Sequence, residues 1–150
     1  MTGKVYRPLP PQEQAWLEAI GYPVPPRVVV EIGTRAARWV GWFMARFDHP
    51  PLAVTLGRRI LVPSASHYAA LSPRQRAALL AHELVHVRQW QQLGGFRFVW
   101  QYLKDYLRTR REGVDTHDPI RGIALEREAL ALEHRAMVAL QKVDKPETLV

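Results

Sequence analysis

Cysteine is absent from the 150 residues. That excludes disulfides and thiolate metal ligands, so any metal this chain holds must take nitrogen and oxygen donors. Long apolar runs are missing as well. The most conspicuous uncharged stretch, Trp39 to Ala45, is far too short to cross a bilayer. The opening residues, Met1 to Pro8, carry no apolar core of the kind a secretory signal needs. Together these absences predict a soluble, cytoplasmic protein. Lysine is scarce, found only at Lys4, Lys104, Lys142 and Lys145, so the net charge of +7 is carried mostly by arginine. The pI of about 10.2 admits acidic protein, membrane-surface or nucleic-acid partners. The arginines are scattered, with small groups only at Arg58-Arg59 and Arg108-Arg110-Arg111. That pattern reads as a solvated basic surface and argues against a nucleic-acid-binding module.

What is present is an ordinary globular composition, 47% hydrophobic and 23% charged. The length fits one domain over residues 1–150, with 1–26 as an N-terminal arm and short helix and 144–150 as a loose tail. Pro8, Pro10 and Pro11 keep the first ten residues extended, and Gln12 to Ile20 forms a short helix ended by Gly21. Val28-Val29-Val30 suits a strand. From Arg35 to Phe47, Ala36, Val40, Phe43 and Phe47 recur at helical spacing, broadened by Trp39 and Trp42, which predicts a buried helix. The flanking Arg35, Arg38 and Arg46 leave a membrane-surface helix as the other reading. Ala53 to Leu56 and Arg59 to Val62, joined by Gly57-Arg58, read as a hairpin with a type II′ turn. Ser72-Pro73-Arg74-Gln75 carries a capping box and starts a helix that runs to Leu93 and stops at Gly94-Gly95. A following helix, Phe96 to Leu107, places Phe96, Val99, Leu103 and Tyr106 at core spacing, and residues 108–118 read as a loop. Asp118-Pro119 opens the last helix, which extends to Val143. The fold class that results is α+β, a small antiparallel or mixed sheet packed on the long central helix.

That central helix contains His82-Glu83-Leu84-Val85-His86. Two histidines four apart project from one helix face, one turn apart, and can hold one metal ion through ring nitrogens. Glu83 lies about 100° around the helix from His82, outside that coordination shell but within reach of a water beside the ion. A carboxylate there can take a proton and later return it to a leaving group. Leu79, Leu80, Leu84 and Val87 supply the apolar side for packing.

A third protein ligand is expected, because two imidazoles alone hold zinc weakly. A histidine six residues after His86 would serve, but that position is Gln92, and the glycine that would accompany it is Gln89. The last helix offers Glu126, Glu128 and Glu133. Ile123, Leu130 and Met137 form an apolar stripe, and Glu126 lies on it, while Glu128 is about 200° away. A carboxylate facing a core is costly unless it is paired or metal-bound. Glu126 is therefore the candidate ligand, the other use being an ion pair with Arg88 or Arg121. Glu133 shares the stripe and can orient a histidine through its free ring nitrogen. Tyr102 and His134 are candidates for stabilising a transition state on position alone. His49, His67 and His117 read as surface residues.

Ala81-His82-Glu83-Leu84-Val85-His86, followed by Leu125-Glu126-Arg127-Glu128-Ala129, resembles the gluzincin clan of zinc metallopeptidases. The second segment is similar to the glutamate-x-x-alanine motif of the peptidases that process CAAX proteins. It is more similar still to the small soluble minigluzincins and to the zincin-like domain found near contractile injection systems. Over roughly residues 52–140 the resemblance implies a zincin-like fold, Zn2+ held by His82, His86 and Glu126, and Glu83 as base in peptide-bond hydrolysis. Leu130 stands where the larger peptidases carry an aspartate, so support for the histidines must come from elsewhere. On this reading the partner is a peptide or protein substrate, lying extended along a sheet edge near Arg59 to Val62. A second expectation is a zinc-binding structural or interaction domain with little or no activity, in which the metal staples two helices.

Overall fold

The computed structural model describes residues 3–46, 51–112 and 123–144. The described residues form an α+β structure with a four-stranded mixed sheet and six helices. The sheet is built from β1 (Lys4–Tyr6), β2 (Val29–Ile32), β3 (Val54–Leu56) and β4 (Arg59–Val62), in the order β1-β2-β4-β3. β2 and β4 run parallel, with Val30 opposite Ile60, and the two outer strands pair antiparallel to them. The connection between the parallel pair includes α2 (Arg35–Met44). Within the proline-bearing arm Lys4–Tyr6 is extended as expected and pairs with β2, whereas Arg7, Pro8 and Leu9 bend.

Gly57 carries a φ of 64°, and Arg58 is not among the residues of positive φ, which is what a type II′ hairpin turn requires. The hairpin leaves β3 outermost and β4 inside the sheet. Ile60, Leu61 and Val62 are all buried, as a strand covered on both faces demands. The expectation of a substrate along Arg59 to Val62 is therefore corrected: β4 has both edges paired, and the edge beside the central helix is β3.

Helix α4 (Pro73–Leu93) begins and ends where its capping chemistry places it. The Gln75 amide donates to Ser72 Oγ at 3.2 Å, and the Ser72 amide donates to Gln75 Oε1 at 2.8 Å. Gly94, with φ of 76°, lets its N–H close back on the Trp90 carbonyl at 2.9 Å. The main core joins Val28, Val30, Ile60 and Val62 of the sheet side to Leu80, Leu84 and Val87 of α4, and to Leu140 of α6 (Ala124–Asp144). α1 (Pro11–Ala19) adds Leu17 to it. Between the sheet and α4 a short helix, α3 (Ala65–Ala70), forms behind a Ser64 cap; six residues give too little periodicity to read in advance.

Three helix faces differ from expectation. α2 buries only its small residues, Ala37 and Gly41, while Trp39, Trp42 and Phe43 face outward. A Cβ at Gly41 would collide with Pro63, so the helix sits against the strand end at a distance that aromatic side chains cannot share. Phe47 and His49, which follow it, lie outside the described residues. α5 (Gly95–Arg111) is longer than expected and takes in the basic residues read as a loop. Arg108, Arg110 and Arg111 occupy its last turn, where cations complement the helix dipole. Three of its four expected core residues, Phe96, Val99 and Leu103, are exposed; the fourth, Tyr106, packs inward beside buried Phe98, and Asp105 and Thr109 are also buried. In α6 the inner face carries Leu125, Glu126, Ala129, Ala136 and Leu140, whereas Leu130 points out. Ile123 is fully buried but precedes the helix, and the expected start at Asp118-Pro119, like His117, lies outside the described residues.

Candidate metal centre

α4 and α6 pack side by side and bring three side chains together. His82 Nε2 and His86 Nε2 are 3.2 Å apart. The Glu126 carboxylate faces both rings, with Oε2 at 3.2 Å from His82 Nε2 and Oε1 at 3.4 Å from His86 Nε2. These three form a group that could hold a metal ion. A tetrahedral ion bound at roughly 2.0–2.1 Å needs ligand atoms about 3.3–3.4 Å apart, close to each of these three separations.

The partners of the other ring nitrogens fix how the histidines present themselves. Gln89, one turn after His86, donates its amide nitrogen to the Leu125 carbonyl at 3.1 Å and to Glu128 Oε2 at 2.7 Å. Those two acceptors orient the amide, leaving Gln89 Oε1 to face His86 Nδ1 at 2.8 Å. An oxygen there requires Nδ1 to carry the proton, which leaves the Nε2 lone pair free for a cation. His82 Nδ1 is held in the same sense by Glu133 Oε2 at 3.0 Å. Two lone pairs and a carboxylate converging on one point repel one another unless a proton or a cation lies between them. The donor set therefore fits a divalent ion with nitrogen and oxygen preference.

The charges follow from this packing. Burial pulls the His82 imidazole down, but Glu126, Glu133 and Glu83 outweigh it and hold its pKa at about 10. Burial and then Glu126 act on His86 in the same opposed directions, and the net shift is upward. Burial pushes Glu126 up, yet the two imidazoles beside it bring it down to about 2. Without a metal the group is thus a compact ion-pair cluster.

Glu83 stands next to the cluster and outside it. Its side chain is buried, and its Oε2 accepts a 2.6 Å hydrogen bond from Thr55 Oγ1 on the edge strand. Burial raises its pKa against the pull of His86 and His82. Tyr102 of α5 lies against Glu126; burial, with the negative Glu126 and Glu83, raises its pKa, so it stays a hydroxyl donor. Phe98 packs edge-on against the His86 ring, with centroids 6.0 Å apart. His82 keeps 13% of its side chain exposed, so the cluster is nearly closed but reachable from solvent.

Several sequence-predicted residues converge here: His82, Glu83, His86, Glu126, Glu133 and Tyr102. His134 does not. It is exposed and lines an outer groove with Arg127, Leu130 and Met137. His67 is exposed on α3, as expected. Of the two arginines weighed as partners of Glu126, Arg88 instead reaches the Tyr22 hydroxyl at 3.3 Å, and Arg121 lies outside the described residues. Three further residues contribute to the site. Gln89 is three positions after His86, a helical spacing that signals contact. Thr55 reaches Glu83 from 28 residues away, and nothing in local pattern joins them. Asp105 is buried in α5 and accepts the Ala124 amide at 3.3 Å, which caps the start of the helix that presents Glu126.

No family model, curated protein or solved structure matches the chain.

Proposed function

We propose that the protein is a zincin-like zinc metallopeptidase that hydrolyses peptide bonds, with His82, His86 and Glu126 holding Zn2+ and Glu83 carrying the proton. The observation that carries this reading is the division of labour around one point. Three donors converge, each imidazole is oriented through its far nitrogen, and a buried carboxylate stands beside them without joining them. Zinc, when bound, supplies Lewis acidity at a carbonyl oxygen and makes water more acidic. Thr55 occupies Glu83 Oε2, leaving Oε1 to take a proton from the attacking water and deliver it to the leaving amine. A carboxylate whose pKa is raised by burial takes a proton from water more readily than an exposed one does. The Tyr102 hydroxyl is available to hydrogen-bond developing negative charge on the substrate. β3 offers a substrate backbone the unpaired edge of the sheet, and Thr55 links that edge to Glu83.

Glu83→Gln should keep metal and fold while hydrolysis of a peptide library falls by a factor of about 100 or more. Equal cleavage by variant and parent rejects the assignment. A second reading, a structural ion stapling α4 to α6, draws support from the low exposure of the three donors. It predicts metal-dependent folding with no hydrolysis by the parent.

A further inference from the structure

The outer face of α5 has no role in the site. Phe96, Val99, Trp100, Leu103 and Leu107 recur at i, i+3, i+4, i+7 and i+11 and form one stripe, with exposures from 46% at Leu103 to 83% at Phe96. A stripe of this kind ordinarily turns inward. Here the opposite face is taken by Phe98, which packs on His86, by Tyr102 and by Asp105, which caps α6. Arg97, Lys104, Arg108 and Arg111 follow one flank of the stripe, at about 60–120° from Phe96 around the helix axis. Asp105 is the helix's only acidic residue, and it is buried. The exposed surface therefore combines large apolar side chains with charge of a single sign.

We propose that this face of α5 docks on the surface of an anionic phospholipid bilayer. Trp, Phe and Leu on one face with Lys and Arg beside them is the composition of a helix that lies in the interfacial plane. The apolar stripe enters the headgroup boundary, and the basic flank meets the phosphates. A single helix presents this stripe as a ridge, a shape that suits a flat fluid surface. A second copy of the chain is disfavoured by charge, because pairing this face with itself sets cations against cations. α2 also exposes aromatics and arginines, but Arg46 stacks over Trp42 at 4.0 Å and Trp39 stacks on Phe43 at 5.8 Å. Phe96 and Trp100 have no such ring or cation partner among the described residues. Docking through α5 sets the metal centre directly behind the membrane-facing helix.

The test is co-sedimentation of the full chain with vesicles of phosphatidylglycerol in phosphatidylcholine, compared with vesicles of phosphatidylcholine alone. Partition onto the anionic vesicles, weakened by salt and absent from the neutral ones, is expected. The double variant Trp100→Ser/Leu103→Ser and the triple variant Arg97→Glu/Lys104→Glu/Arg111→Glu should each lower the partition coefficient about tenfold or more. Far-ultraviolet circular dichroism should show both folded, since all five positions are exposed. Absence of partition onto anionic vesicles overturns the proposal. So does partition that survives both variants, or that falls instead with Trp39→Ser/Trp42→Ser. Two outcomes name another occupant and also overturn it: a dimer in ultracentrifugation abolished by Trp100→Ser, or binding to polyglutamate without binding to vesicles. Neither metal nor hydrolysis enters the readout, so loss of the peptidase reading leaves this one standing.

Discussion

α4 and α5 are neighbours in the fold and opposites in construction. α4 turns polar groups inward: Glu83, His86 and Gln89 are buried among leucines and valines. α5 turns its largest apolar side chains outward. Each arrangement breaks the usual rule that helices bury apolar residues and expose polar ones. In α4 the inversion holds because each of these three residues has a partner: Thr55 for Glu83, Glu126 and Gln89 for His86, and Leu125 and Glu128 for Gln89. In α5 no partner among the described residues covers the outward face, which is why a partner of other chemistry is sought for it. A buried polar group is stable when its partners are fixed, and an exposed apolar one is informative when its inner face is already committed.

The sharpest way to break the α4 side is to remove the amide that orients His86. Gln89→Leu leaves His86 Nδ1, the Leu125 carbonyl and the Glu128 carboxylate without their shared partner. Zinc affinity, measured by competition with a chromophoric chelator, should fall about 10–100-fold. An unchanged affinity would mean that the histidine is oriented by packing alone.

Proton concentration probes the same cluster with a smaller effect. In metal-free protein the His82 pKa is raised from 6.5 to about 10, so its contribution to stability is complete below about 6.5 and is lost as pH rises through about 10. Glu126 is lowered from 4.5 to about 2, so its contribution is complete above about 4.5 and is lost as pH falls through about 2. The chelator-treated protein should therefore melt highest between about pH 4.5 and 6.5 and lose stability toward pH 10. Added zinc should restore melting temperature on the alkaline side, where the imidazoles are free to ligate, and little on the acid side. A flat melting profile without metal would contradict the ion-pair description.

Where the two helices meet α6, a smaller loss is expected. Asp105→Ala removes the carboxylate that accepts the Ala124 amide and should cost about 1 kcal/mol in urea unfolding. A neutral result would place the alignment of Glu126 on the α4–α6 packing alone.

The elements bounded by strong local chemistry were legible in the sequence. The capping box at Ser72, the glycine stop at Gly94 and the Gly57-Arg58 hairpin all have local causes, and each stands where it was expected. The convergence of Glu126 on the histidine pair was legible too, though the stripe used to find it was rotated. Leu130 faces out, and Ala129 and Ala136 line the contact, because small residues let α6 approach α4 closely. The faces of α2 and α5 were not legible from periodicity. An apolar stripe says that a helix has a preferred side, but which side the fold covers depends on Gly41 meeting Pro63 and on Asp105 meeting Ala124. Thr55 and Glu83 likewise meet only through the tertiary fold.

The central claim is that two imidazoles and a distant carboxylate share one zinc ion. Native mass spectrometry with elemental analysis, on protein purified without chelator, tests it most directly when the parent is set beside Glu126→Ala. Close to one zinc per chain is expected in the parent, and its loss in the variant. A folded parent devoid of metal that takes up no added zinc, or a variant that retains zinc in full, would contradict it.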